Sequence, residues 1–126
     1  MPWDGCHTRV LDDGGREFSV DDPALACITI NYQARLQFGQ AELVIETPFT
    51  LREDGNEQVL DPNDRAALGP LLALYPDTLS GPLVMNRTGT LSVLFESGAS
   101  LEVPPHPDYE AWTICGFFCL PGGFVG

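Results

Sequence analysis

A run of alternating apolar and polar residues constrains this chain more than any other feature. The alternating positions are Ile28, Ile30, Tyr32, Ala34, Leu36 and Phe38, with polar residues between them. A period of two is typical of a β-strand with one buried face. Gly39-Gln40 then predicts a turn, after which the pattern resumes. We therefore expect one face of a single sheet to bury Ile30, Tyr32, Leu36, Phe38, Leu43 and Ile45.

The remaining patterns predict an α+β fold. Asp61-Pro62 has the residue types that begin a helix, and the following apolar run is interrupted by Gly69-Pro70. Proline inside a helix removes a donor, so we expect two short helical pieces or one kinked helix. Strand patterns return after residue 78, whereas the polar run 52–58 predicts a turn. The predicted fold is a curved antiparallel sheet of about six to eight strands, built of β-hairpins, with the short kinked helix packed on it.

The length of 126 residues fits one domain of ordinary size. The sharp patterning begins at residue 24, so residues 24–126 are predicted to form a single α+β domain. Residues 1–23 are more weakly patterned. They form either an extra hairpin around Asp12-Asp13-Gly14-Gly15 or a loosely attached N-terminal arm.

The charge is strongly negative and unevenly distributed. Eighteen acidic residues against six basic ones give a net charge of −12, and every basic residue is Arg. Residues 1–64 hold 13 acids and 4 Arg, a net charge of −9. Binding to nucleic-acid phosphates is therefore not expected, because that affinity comes from clustered Lys and Arg. The acidity serves either solubility alone or the recognition of a basic partner.

One partner-binding surface is predicted from these residues. Its carboxylates and aromatic side chains are Asp12, Asp13, Asp21, Asp22, Tyr109 and Trp112. Tyr and Trp are frequent in the parts of protein interfaces that carry most binding energy. The competing interpretation is that both aromatic residues anchor the last strand to the core.

Neither a metal site nor a cofactor is predicted. Cys115 and Cys119 are separated by three residues, and the nearest other candidate ligands are His106 and the distant Cys6-His7. A structural zinc site needs four ligands, and a second close pair is missing. A tight turn at Gly116 would bring the two thiols together for a disulfide or half a site. We expect free cysteines and no catalytic residues.

The chain has no apolar run near the ~20 residues of a membrane helix. Its first residues lack a basic region followed by an apolar stretch, which predicts a cytoplasmic location.

Several segments resemble a family of small acidic proteins of unknown function, found mainly in actinobacteria. The resemblance covers residues 24–125. The segments that carry it are 30–38, 43–46, 61–62, 103–112 and 119–123, of which Pro107-Asp108-Tyr109-Glu110-Ala111-Trp112 and Leu120-Pro121-Gly122-Gly123 are the most specific. The resemblance supports the fold and the compartment, and it implies no activity.

The leading functional hypothesis is a non-enzymatic protein-interaction domain that binds a basic partner. An immunity-type inhibitor, which caps a toxin, is one concrete form. The alternative is a small-molecule carrier with a pocket between the concave face of the sheet and the helix. A third hypothesis is an enzyme that uses Cys and His. The sequence does not predict an oligomeric state.

Overall fold

Antiparallel β-strands dominate the structure, a computed structural model that describes residues 6–107, 111–115 and 124–125. The strands are β1 Cys6–Val10, β2 Arg16–Val20, β3 Cys27–Ile30, β4 Ala34–Phe38, β5 Ala41–Ile45, β6 Phe49–Glu53, β7 Asn56–Leu60, β8 Leu83–Met85, β9 Leu91–Leu94, β10 Ser100–Val103, β11 Trp112–Cys115 and β12 Phe124–Val125. The helical residues are a 3-10 turn at Arg65–Ala67 and one short helix, α1, at Gly69–Leu72.

The strands form two sheets where the sequence predicted one. In the described residues, the large sheet has the order β1-β2-β8-β9-β10-β6-β7, and the small sheet has the order β12-β11-β5-β4-β3. The chain crosses from the small to the large sheet between β5 and β6, at Thr47-Pro48. Pro48 has no backbone N–H for a ladder, so the pairing of β5 does not continue through it. The prediction of a single sheet was wrong at this crossing.

One hydrophobic core lies between the sheets. Phe18 of β2 contacts Trp112 of β11 edge to face, with ring centroids 5.9 Å apart. Phe38 of β4 lies 6.5 Å from Phe95, which follows β9. Each of these pairs joins one sheet to the other, and all four side chains are buried. Burial of apolar surface is the dominant favourable term in folding, so these contacts hold the two layers together.

The long alternating segment is a hairpin and not a single strand. β3 and β4 are joined by Asn31-Tyr32-Gln33, and Ile30 pairs with Ala34 across the turn. Paired residues point to the same face, so a three-residue loop preserves the odd–even pattern through the turn. The sequence of such a hairpin therefore looks like one strand.

The burial prediction was right for four of its six residues. Leu36, Phe38, Leu43 and Ile45 are fully buried, whereas Ile30 is half-buried. Tyr32 is exposed, because the centre of a turn has no inner face. The Gly39-Gln40 turn is present, with Phe38 paired to Ala41.

The two helical pieces match the prediction of an interrupted helix, but the first begins at Arg65 and not at Asp61-Pro62, which form a turn. Leu68 separates the 3-10 turn from α1, and Pro70 lies in the first turn of α1, where its missing N–H has no intrahelical partner to lose. Leu68 and Leu71 are buried in the core. Very few residues of the helical segment are therefore buried against the sheets.

Two polar segments form hairpins at the ends of the large sheet. Residues 52–58, predicted to be a turn, belong to β6 and β7, with only Asp54-Gly55 between them. Because β7 is an edge strand with four exposed residues, it lacks the apolar alternation of an internal strand. At the opposite edge, β1 pairs with β2, and β2 joins the sheet through β8.

Candidate functional site

A cleft lies at one end of the small sheet. Its volume is about 790 Å³. The lining residues come from three strand ends and one loop, and they are Asn31, Tyr32, Gln33, Glu46, Thr47, Pro48, Asp61, Asn63 and His106. The set contains two carboxylates, three carboxamides, one imidazole and one phenol, but no Arg. This composition makes the cleft, hereafter the acidic cleft, polar and negatively charged.

Proline residues help to place these side chains at the ends of strands. Glu46 follows β5 directly and is followed by Thr47-Pro48, and Asp61 follows β7 and precedes Pro62. His106 follows Pro104-Pro105 after β10. Proline interrupts backbone pairing, so each chain segment leaves its sheet here and exposes polar side chains around a common depression.

A hydrogen-bond chain on the outer face of the small sheet leads into the acidic cleft. Arg35 donates through Nη2 to Gln33 Oε1 at 2.8 Å, and Gln33 donates through Nε2 to Glu46 Oε1 at 2.8 Å. Arg35 also donates through Nη1 to Glu42 Oε1 at 2.9 Å. The guanidinium is therefore engaged by Glu42 and Gln33, and Glu46 is oriented by an uncharged amide.

Tyr32 stands at the rim of the acidic cleft in an unusual backbone conformation. Its φ angle is 57°, in the left-handed region, and its side chain is 75% exposed. A bulky residue in this region is uncommon, and the left-handed conformation costs roughly 1–2 kcal/mol for a residue other than Gly. Residues held in sparsely populated backbone regions cluster at functional sites, which makes Tyr32 a candidate for a role in binding.

Asp61 and its turn form another part of the lining. Asp61 Oδ1 accepts a hydrogen bond from the backbone N–H of Asn63 at 2.9 Å, and Asp61 O accepts one from Asp64 N at 2.9 Å. These bonds fix the turn that holds the carboxylate against the cleft. His106, on the neighbouring loop, is half-buried.

The structure does not bring the predicted carboxylates together. Asp12 and Asp13 lie in the β1–β2 turn, where Asp13 Oδ1 accepts a hydrogen bond from Gly15 N at 2.9 Å. Asp21 and Asp22 lie beyond the other end of β2, and Asp22 Oδ1 accepts one from Ala24 N at 3.3 Å. The five residues of β2 span roughly 14 Å, so the two pairs lie at opposite ends of the strand.

The two predicted aromatic residues have different outcomes. Tyr109 lies outside the described residues. Trp112 is fully buried and donates its indole N–H to Gly89 O at 3.0 Å. Its side chain therefore presents no surface to a partner, in agreement with the competing interpretation that it anchors the last strand.

Sequence reasoning missed the residues of the acidic cleft. Glu46, Asp61 and His106 each lie next to a strand end or a proline, and that adjacency was the available signal. Tyr32 was assigned to the core because its position fits the alternation. Nothing in the pattern distinguishes a turn of three residues from a continuous strand.

Three further observations bear on chemistry elsewhere in the molecule. Among the side chains that the structure describes, which are those of residues 8–107 and 111–114, no group of three or more His, Cys, Asp or Glu is placed to hold a metal ion. Cys119 and the side chain of Cys115 lie outside what the structure describes. Hydrogen bonds to Glu102 and then Glu57, on the large sheet, raise the pKa of Arg52 above its ordinary value.

No helix in the described residues has the length and apolar character needed to cross a membrane.

Comparison with known families places the chain in a family of unknown function, DUF6188, whose model matches residues 17–126. The chain belongs to this family. The match begins at the second residue of β2, so it covers both sheets and the acidic cleft but not β1. It also starts seven residues earlier than the resemblance seen in the sequence. No curated protein and no solved structure matches the chain.

Proposed function

We propose that this chain is a non-enzymatic binding protein that recognises a basic segment of another protein at the acidic cleft. The observation that carries the proposal is the lining of the cleft: Glu46 and Asp61 face a space of about 790 Å³ that contains no Arg. A cleft with this charge favours a cationic group over an anionic one.

The chemistry of the lining suits the side chains of Arg and Lys. A guanidinium or ammonium group can donate to a carboxylate of the lining, and hydrogen bonds between charged partners are roughly twice as strong as those between neutral groups. The exposed ring of Tyr32 offers a face for a cation–π contact. The net charge of −12 would increase the rate of encounter with a basic partner, and this effect weakens as salt is added.

The finer parts of the proposal concern identity and compartment. An immunity-type inhibitor that caps a basic toxin is one concrete form of such a binding protein. A cytoplasmic location and a family distribution mainly among actinobacteria belong to the same hypothesis, the latter supported by a composition in which all six basic residues are Arg.

A small-molecule carrier is the second candidate. The volume of the acidic cleft falls within the range of small-molecule sites, but such sites are lined mostly by apolar side chains, and this one is not. It also lies between strand ends. The depression between the small sheet and α1, where the carrier hypothesis placed a pocket, is a smaller one of about 350 Å³. The enzyme hypothesis needs a thiol near an imidazole; Cys27 and His106 line different depressions of the surface.

The proposal can be tested with a hexa-arginine peptide and isothermal titration calorimetry at low salt. The cleft variant Glu46→Gln/Asp61→Asn removes two negative charges while keeping the side-chain shapes. The matched control, Asp12→Asn/Glu96→Gln, removes the same charge from exposed positions outside the cleft. We expect the cleft variant to weaken binding by about tenfold or more, because it removes charge-assisted hydrogen bonds.

The control variant should change the affinity much less, by about twofold, through the loss of long-range attraction alone. Equal losses in the two variants would mean that the peptide senses only net charge, and the acidic cleft would not be the site. An absence of binding to the unmodified protein would overturn the proposal.

A further inference from the structure

The small sheet has a free edge along β3. Within the described residues, β3 is the last strand of this sheet and pairs only with β4. Asn31 N donates to Gln33 O at 2.9 Å, which fixes the alternation of hydrogen-bonded and non-hydrogen-bonded pairs along the hairpin. In this register, the N–H and C=O groups of Ile28 and Ile30 point away from β4, toward the open side.

β3 itself lacks the charged side chains and prolines that discourage pairing with another strand. Exposed edges are commonly blocked by charged side chains, prolines or bulges. The edge strands of the large sheet carry such charges, with Arg9 in β1 and Glu57 in β7. By contrast, β3 has the sequence Cys-Ile-Thr-Ile, without charge or proline.

An apolar groove runs beside the same edge. It has a volume of about 350 Å³ and is lined by Ala26, Cys27, Ile28, Leu72 and Tyr75, with no Asp, Glu, Arg or His among them. Leu72 of α1 is 48% exposed and Tyr75 is 54% exposed. Alternate side chains of a strand lying on β3 would point into this groove and be removed from water.

β3 connects the apolar groove with the acidic cleft. The groove includes residues 26–28, and the cleft includes residues 31–33 at the other end of the strand. Residues 28 and 32 are four positions apart in the chain, so at most roughly 13 Å separates their Cα atoms. A short extended segment can therefore reach both depressions at once, with Glu46 on the outer face of the sheet and the groove toward the inner face.

We infer that the basic partner binds by adding an extended segment to β3 as an extra antiparallel or parallel strand. Its alternate apolar side chains enter the groove, and its Arg or Lys side chains on the other face meet the acidic cleft. Main-chain hydrogen bonds to Ile28 and Ile30 supply affinity, and the two depressions supply specificity. This inference rests on the proposed function and adds the mode of recognition.

Charge decides between the possible occupants of the edge. A second copy of this chain would bring another −12 and another acidic cleft to the same place. Like charges brought together across an interface oppose association. A segment that carries Arg or Lys is electrostatically complementary to the cleft, so a basic partner fits the edge better than a second copy does.

The test uses a capped hexapeptide of alternating arginine and valine, with two N-methylated forms of it. One form carries methyl groups on the valine amides and the other on the arginine amides. In an added strand only one of these sets faces β3. We therefore expect one methylated form to bind about tenfold more weakly and the other to bind almost as the parent does.

A pair of protein variants tests the groove. Leu72→Asn makes its lining polar, and Leu94→Asn is the control, because Leu94 is 54% exposed on β9 and does not line the groove. We expect a loss of affinity of about fivefold for Leu72→Asn and less than about twofold for Leu94→Asn.

The outcomes separate this inference from the proposed function. If both methylated peptides bind like the parent, while Glu46→Gln/Asp61→Asn still weakens binding, the added strand is overturned and the cleft proposal stands. If hexa-arginine and the alternating peptide both fail to bind, both proposals are overturned. Sedimentation velocity showing a dimer that the alternating peptide disperses would identify a second copy as the occupant, which also overturns the inference.

Discussion

Two aromatic residues of the small sheet occupy opposite environments. Trp112 lies between the sheets, with no exposed surface, its ring against Phe18 and its indole N–H on Gly89 O. Tyr32 lies in the β3–β4 turn, 75% exposed, with φ at 57°. The first side chain has every contact that packing and hydrogen bonding can provide. The side chain of Tyr32 has few such contacts, and its left-handed backbone conformation is unfavourable for a tyrosine.

Trp112 stabilises the fold, whereas the fold does not explain why a tyrosine occupies position 32. Trp112 joins two layers and satisfies its own donor, so burial accounts for its identity. Burial does not account for Tyr32, because a Gly or Asn at its position would adopt the same φ at lower energy. The binding proposal supplies a reason for a tyrosine there.

The largest expected effect contrasts the two residues directly. Trp112→Ala should lower the free energy of unfolding by about 4 kcal/mol, through lost burial and a cavity between the sheets. Tyr32→Ala removes a similar aromatic ring from the surface and should change stability by less than about 1 kcal/mol. Urea unfolding followed by fluorescence measures both. Similar losses in the two variants would break the comparison.

Trp112→Phe tests the same contacts if Trp112→Ala does not fold. It keeps most of the ring but leaves Gly89 O without its donor. We expect an intermediate loss of about 2 kcal/mol. A variant as stable as the parent protein would show that this hydrogen bond contributes little.

The second prediction measures how much unfolding free energy a residue other than Gly costs in the left-handed backbone region. Gly39 has φ at 59°, and a Cβ there would lie 2.7 Å from Asp22 Cβ. Gly55 has φ at 81°, with no atom near the same position. Gly55→Ala should therefore cost about 1 kcal/mol and Gly39→Ala about 2 kcal/mol of unfolding free energy. If Gly55→Ala has no effect, the strain argument for Tyr32 loses its basis.

The smallest effect has the opposite sign. Tyr32→Asn should raise the free energy of unfolding by about 0.5–1 kcal/mol, because Asn tolerates the left-handed region better than a bulky residue does. The same variant should bind hexa-arginine more weakly, whereas Tyr32→Phe should retain both properties of the parent protein. A gain of stability with unchanged binding would leave Tyr32 without a role in recognition.

Much of the small sheet was predictable, because its core residues follow simple rules. The alternation from Leu36 to Ile45 and the glycine turn fix which face is buried, and both features are local in the sequence. The division into two sheets was not predictable in the same way. It depends on which strands β6 pairs with after Pro48. The sequence of a strand does not indicate which distant strand it will pair with.

The candidate site could be predicted least. The acidic cleft combines the ends of β3, β5 and β7 with a loop near residue 106, and only the fold brings these segments together. The carboxylates that were adjacent in the sequence, Asp12-Asp13 and Asp21-Asp22, proved to be turn residues at separate ends of β2. Like charges adjacent in the sequence thus indicated loops, whereas the two carboxylates of the acidic cleft, Glu46 and Asp61, are 15 positions apart in the chain.

The carboxamide of Gln33 could support either charge at position 46 of the acidic cleft. Its oxygen faces Arg35 and its nitrogen faces Glu46, but the two ends of an amide have almost the same shape. If the two charged residues exchanged places, through Arg35→Glu and Glu46→Arg, a half-turn of this amide would restore both hydrogen bonds. Glu42→Gln would spare the new acid a like-charged neighbour. Position 46 would then carry a cation while Asp61 keeps its negative charge. The net charge of the cleft is therefore set by a few exchangeable side chains and not by the backbone.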